Sequence, residues 1–168
     1  MNLRVAITSF VASCALYMLL VVFNNITDYG SNFDFVKHVF AMDTTFPGNE
    51  GMWRAITSPV LHHAAYVSII TWEASCAFFL TFGAWRLWQA RAATTAVWSL
   101  ARAHATTGLA LGILLWLLAF ITVGGEWFLM WQSSKWNGLG PATRMFTIMG
   151  VVLVLLYLPE NKPAADSK

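Results

Sequence analysis

Four apolar stretches, each close to the length that crosses about 30 Å of hydrocarbon, constrain this chain more than any motif in it. They lie at about 5–23, 64–87, 105–123 and 141–158, and each is bounded by charged, glycine or proline residues. Only structures that satisfy their own backbone hydrogen bonds cross a bilayer, so each stretch is expected to be a helix. Composition agrees: of 168 residues, 58% are hydrophobic and 11% charged, too apolar for a water-soluble domain of this size. The expected fold class is all-α, a single membrane domain over 1–168 built as a four-transmembrane-helix bundle.

Orientation follows from Lys and Arg. An even number of spans puts both ends on one side, which carries Arg4, Arg86, Arg91, Arg102, Lys162 and Lys168 against Glu160 and Asp166. The other side carries Lys37, Arg54, Lys135 and Arg144, offset by Asp28, Asp34, Asp43, Glu50 and Glu126. The basic side is expected to be cytoplasmic, giving an N-in/C-in topology. That makes 24–63 and 124–140 outer loops, 88–104 a cytoplasmic loop and 159–168 a cytoplasmic tail. The net charge of +2 is thus a topology signal, and no basic patch with interleaved aromatics suggests nucleic acid. Val11-Ala12-Ser13-Cys14 resembles a lipoprotein cleavage box, but the apolar run before it is short and continues through it, so a retained helix is expected. With Cys76 as the one other cysteine, no disulfide framework is indicated.

Most of the nine tryptophans cluster at span ends, where amphipathic rings rest at headgroup level. Trp85, Trp88 and Trp98 fall on the inner side, and Trp53, Trp127, Trp131 and Trp136 on the outer. Trp72 and Trp116 lie deeper and must face lipid or pack.

The first outer loop is longer than a plain connector needs to be. After Ser31 and Asn32, good cap types, Phe33, Val36 and Phe40 recur at helical spacing, with Asp34, Lys37 and His38 on the opposite side. A short amphipathic helix is expected there, on the outer surface or roofing the bundle. Pro47-Gly48-Asn49 is expected to turn the chain.

Asn24-Asn25, Asp28-Tyr29, Phe35-Val36, His38-Val39, Met42-Asp43-Thr44-Thr45-Phe46-Pro47 and Trp53-Arg54-Ala55-Ile56 follow one another in and around this loop. The run resembles the signature loop of a bacterial family of predicted small integral membrane proteins of unknown function. The resemblance covers at least the first three spans and implies four spans and an inner-membrane location. It implies no activity, cofactor or catalytic residue.

Glu73 is the one acid or base near the middle of a span. An ionised carboxylate there costs about 2.5–3.5 kcal/mol on insertion scales, so Glu73 must be neutral, paired or facing a wet cavity. Depth counted from the span ends sets it level with Ser13, Cys14 and Tyr17. Ser9, Ser13 and Tyr17 share one helix face, so contact with Ser13 or Tyr17 is expected, with Thr147 another candidate partner. The acid is then either a proton or cation site or a protonated group that pins the bundle by an interhelical hydrogen bond.

Four histidines raise the question of metal or haem. His62 and His63 lie about a membrane thickness from His104, too far to share one iron. His38, His62 and His63 all fall on the outer face, but without diagnostic ligand spacing, so no metal site or other cofactor is expected. Gly108 and Gly112 form a G-x-x-x-G pattern that lets helices approach closely, within the chain or between copies. Arg144 is expected to snorkel outward or to pair with Glu126. No phosphate loop, nucleophile turn or zinc pair appears; a lipid-directed enzyme would have to use His62, His63 and Asp28 without a supporting motif.

Two function classes remain open. One is a small accessory protein whose outer loop or lipid face binds another membrane protein or a second copy. The other is a proton- or cation-coupled carrier or sensor that uses Glu73. In either case the lipid bilayer is the first partner.

Overall fold

The computed structural model describes residues 2–159, so the tail with Glu160, Lys162, Asp166 and Lys168 lies outside the described residues. Among the described residues the chain is helical, with no strand, and four helical runs are long and apolar enough to cross a membrane.

Helix α1, Leu3–Thr27, starts where the Asn2 side chain accepts from the Arg4 N–H and stops at Asp28. The backbone leaves helical geometry at Asp28 and re-enters it as α2, Tyr29–Ala41. Ser31 and Asn32, expected as caps, therefore sit inside the first turn of α2, because the break comes at Asp28. Val36 and Val39 are buried while Asp34 and Lys37 are exposed, as an amphipathic roof requires. His38 departs from the expected polar face, since its ring stacks on Trp136 at 4.7 Å. Met42, left-handed at φ 53°, ends α2. Gly48, at φ 76°, then turns the chain into a 3-10 turn, Glu50–Arg54, capped by Asn49.

Helix α3, Pro59–Ala90, begins with proline in its first turn, where the missing N–H costs nothing. After a short connection Thr94 caps α4, Thr95–Ala101, which runs on through Arg102 into α5, Ala103–Leu114. From Leu115 to Trp127 the same helix is wound as a π-helix. A 3-10 turn, Met130–Gln132, leads to α6, Leu139–Leu156. The expected loop 88–104 is thus mostly helix. Hydropathy marks where polarity rises, whereas α3 runs on to Ala90 and the next helix starts where Thr94 supplies an N-cap, and Arg side chains stay helical by reaching past the apolar zone.

Helix α1 packs on α3, α3 on α5, α5 and its π segment on α6, and α6 closes on α1. Val11, Met18, Leu80, Leu109 and Met149 fill the centre. Leu16, Leu20, Phe78, Leu100 and Val154 remain exposed on the outside, which suits helices apolar on every face and solvated by lipid.

The expected tryptophan belts need correction at two positions. Trp53, Trp85, Trp88, Trp127 and Trp131 are exposed, whereas Trp98 is buried beneath the Arg4 guanidinium and Trp136 is covered by His38. At the basic end Arg4 donates to the Ala93 carbonyl and Arg102 to that of Leu156. These carbonyls lie at or just beyond helix C-termini, where cations are favoured.

Candidate functional site

Glu73 lies on α3, 2% exposed. Its hydrogen-bond partner comes from α1: Asn25 Nδ2 donates to Glu73 Oε2 at 2.6 Å. The Tyr66 hydroxyl, two turns earlier on α3, donates to the Asn25 carbonyl at 3.1 Å and lies 3.3 Å from its Oδ1. With Oδ1 turned toward Tyr66, Nδ2 is left for Glu73, so the network orients the amide. Among the described residues no Lys or Arg pairs with Glu73.

The expected partner Ser13 does not reach it. Ser13 is exposed, and its hydroxyl donates to the Ser9 carbonyl of its own helix, as Ser9 does to Val5. Thr147 likewise bonds Thr143 in its own helix. The depth estimate is wrong because α3 begins farther out than its apolar stretch and α1 runs past its own, through Asn24 and Asn25. The helices are offset by roughly two turns, or about 12 Å, relative to hydropathy alone. Tyr17 does belong to the site, in the wall described next.

Beside the acid is a cavity of about 250 Å³, room for several waters at ~30 Å³ each. Glu73, Asn25, Tyr66 and Tyr17 line it from α3 and α1, and Asn32, Phe35 and Val36 cover it from α2. The start of α6 contributes Gly138, where an added Cβ would come within 2.8 Å of the Phe35 ring. Of the settings expected for Glu73, the structure shows a carboxyl hydrogen-bonded by a neutral amide at the edge of a partly open cavity.

Its remaining wall is the π segment. Trp72, next to Glu73 in sequence, donates from Nε1 to the Leu111 carbonyl at 3.1 Å, one turn before the winding changes. In the segment Thr122 bonds the Leu117 carbonyl, five residues back, the spacing of π winding. Trp116 and Phe120 project from it into the cavity wall, their rings 4.7 Å apart. Trp116 is 6% exposed, and its buried Nε1 donor has no partner among the described residues.

The three histidines expected on the outer face are held apart. His62 is buried, its Nε2 2.7 Å from the Ile56 carbonyl. His63 is exposed, 2.8 Å from the Tyr29 hydroxyl and stacked on Phe33. His38 bonds Asp43 at 2.7 Å. Among the described residues no three His, Cys, Asp or Glu side chains are grouped to hold a metal ion. Arg144 is exposed and does not pair with Glu126, whose carbonyl instead accepts from Arg54. Gly108 and Gly112 are consumed within the chain, against Leu80 and Met149.

Asn25, Tyr66 and Trp116 were not singled out by the sequence. A signal for Asn25 exists: Val11, Met18 and Asn25 recur every seven residues, so the buried stripe of α1 runs on into it. Tyr66, Glu73, Leu80 and Leu87 repeat at the same interval on α3. The indole of Trp116 stands in the π segment, for which no local sequence cue exists.

Compared with known proteins, residues 3–159 match a family described as "Predicted small integral membrane protein (DUF2165)". No curated protein and no solved structure matches the chain.

Proposed function

Since this chain belongs to the family of predicted small integral membrane proteins, a multi-pass protein of the lipid bilayer whose family description states no activity, we propose a function from its own chamber. It is a small accessory or sensor protein of the bacterial inner membrane, and Glu73 is its proton- or cation-responsive group. The observation that carries this is a buried acid with one neutral donor, Asn25, bordering a cavity that α2 roofs. A carboxylate in such surroundings is retained at a cost, and it marks a site where a proton or a cation neutralises it.

The roof supplies a route outward. Asn25 lies just before the Asp28 break that leads into α2, and Tyr66, which holds Asn25, also meets the Tyr29 ring of α2 edge-on at 4.7 Å. Gain or loss of charge at Glu73 thus acts on the segment that joins α1 to α2. The exposed side of α2, with Asp34 and Lys37, is what another membrane component would meet. The carrier alternative is weaker, because a transporter uses paired helices broken within the span around its site, whereas among the described residues only the π segment is irregular within a span beside the chamber, the Asp28 break lying at the end of α1.

Spin labels at Lys37→Cys on α2 and Ser68→Cys on α3 test the coupling, as both positions are exposed and the native Cys14 and Cys76 are buried. The interlabel distance should differ between roughly pH 5 and pH 9 and become constant in Glu73→Gln. Identical distance distributions at both pH values in the unmodified site would defeat the proposal.

The Lys/Arg asymmetry supports a cytoplasmic position for the basic end, with Arg4, Arg86, Arg91 and Arg102. A cytoplasmic reporter fused after Lys168 should be active, and one inserted near Pro47 inactive. Activity at Pro47 would reverse the orientation and put the chamber on the inner side.

A further inference from the structure

We propose that the chamber beside α2 binds a small organic ammonium group, with Glu73 as its counter-charge and the rings of Phe35, Trp116 and Phe120 in its wall; this rests on Glu73 being cation-responsive. The acid is buried and pairs with no Lys or Arg among the described residues; its one hydrogen-bond donor, Asn25, is neutral, and the nearest cation to the wall is the exposed Arg144, close enough to act on Tyr17. The opposite wall is aromatic and contiguous: Phe35 lies 6.3 Å from Phe120, and Phe120 4.7 Å from Trp116. Aromatic faces attract alkylated ammonium groups, which lose little hydration on entering.

An inorganic cation fits less well. Calcium takes six to eight oxygen ligands and magnesium a strict octahedron, whereas this chamber offers a single carboxylate. A volume of about 250 Å³ accommodates an amino-alcohol fragment. That chemistry occurs in free amines and in lipid headgroups.

The test uses the full chain in nanodiscs of phosphatidylglycerol, with choline as probe and its neutral isostere 3,3-dimethylbutanol as control. Calorimetry should detect choline binding, weakened about tenfold or more by loss of either charge, in the isostere or in Glu73→Gln. Trp116→Phe should weaken it several-fold while the Glu73 carboxyl infrared band still responds to choline. In nanodiscs containing phosphatidylethanolamine, reduced apparent affinity assigns the site to a lipid headgroup, and unchanged affinity assigns it to a free amine. Equal binding of the isostere, or indifference to Glu73→Gln, overturns the proposal. If choline is inert while the Glu73 band still responds to pH, the ammonium site falls and the proton-responsive reading stands. If the band responds to neither, both fall.

Discussion

Gly83→Ala should destabilise the bundle by about 1–3 kcal/mol, the usual cost of overpacking a filled interior, whereas Gly112→Ala should cost well under that. At Gly83 an added Cβ would stand 2.5 Å from the backbone nitrogen of Ala105 and 2.6 Å from its Cα. Backbone yields only if α3 and α5 separate along their length. The contact is answered in the other direction by Gly108, where a Cβ would stand 2.8 Å from the Leu80 backbone nitrogen. At Gly112 the obstacle is Met149 Sδ, near the end of a flexible side chain, and methionine fills or vacates space readily. Reversible unfolding of the purified protein in mixed micelles checks the pair. Equal, small losses for both would mean that α3 and α5 are not held at backbone distance. The same geometry makes the G-x-x-x-G pattern an internal contact.

Asn25→Leu should be the more damaging half of the polar pair, at about 1–3 kcal/mol, because it leaves a buried acid and the Tyr66 hydroxyl without their partner. Glu73→Leu should cost on the order of 1 kcal/mol, the scale of interhelical hydrogen bonds in lipid. Glu73→Gln should be close to neutral, since its amide oxygen still accepts from Asn25 Nδ2. The double variant Asn25→Leu/Glu73→Leu should recover most of the loss, as replacing both partners removes the unsatisfied group along with the bond. Additive losses in the same unfolding assay would show that the two residues do not share a bond. Near-neutrality of Glu73→Gln is what makes it the informative variant elsewhere, since it removes charge and leaves the fold.

How much of this was legible in the sequence depends on which physical signal each feature leaves. Span number, the all-α class and the α2 roof come from hydropathy and period, signals written in every residue of the segment. Glu73 stands out in the sequence equally plainly, as one acid among apolar neighbours. Its partner was not, since helix register is set by polar contacts at the ends, Arg4 with Ala93 and Asn25 with Glu73, while hydropathy locates ends only to within a turn or two. Ser9 and Ser13 illustrate a second ambiguity: a serine on a membrane helix satisfies itself on the preceding turn, so its presence says little about where it faces. The π segment, with the orphaned donor of Trp116, was out of reach, because it depends on tertiary contacts such as that from Trp72 to the Leu111 carbonyl.

The central claim is that the charge on Glu73 can change within the chamber, and difference infrared spectroscopy of its carboxyl group tests that most directly. Spectra taken from roughly pH 5 to pH 9, with Glu73→Gln subtracted, should show a protonated-carboxyl band at the acidic end that gives way to a carboxylate band at the basic end. A Glu73 band that stays the same across that range, protonated or ionised throughout, would contradict the account and leave Glu73 as a structural pin between α1 and α3.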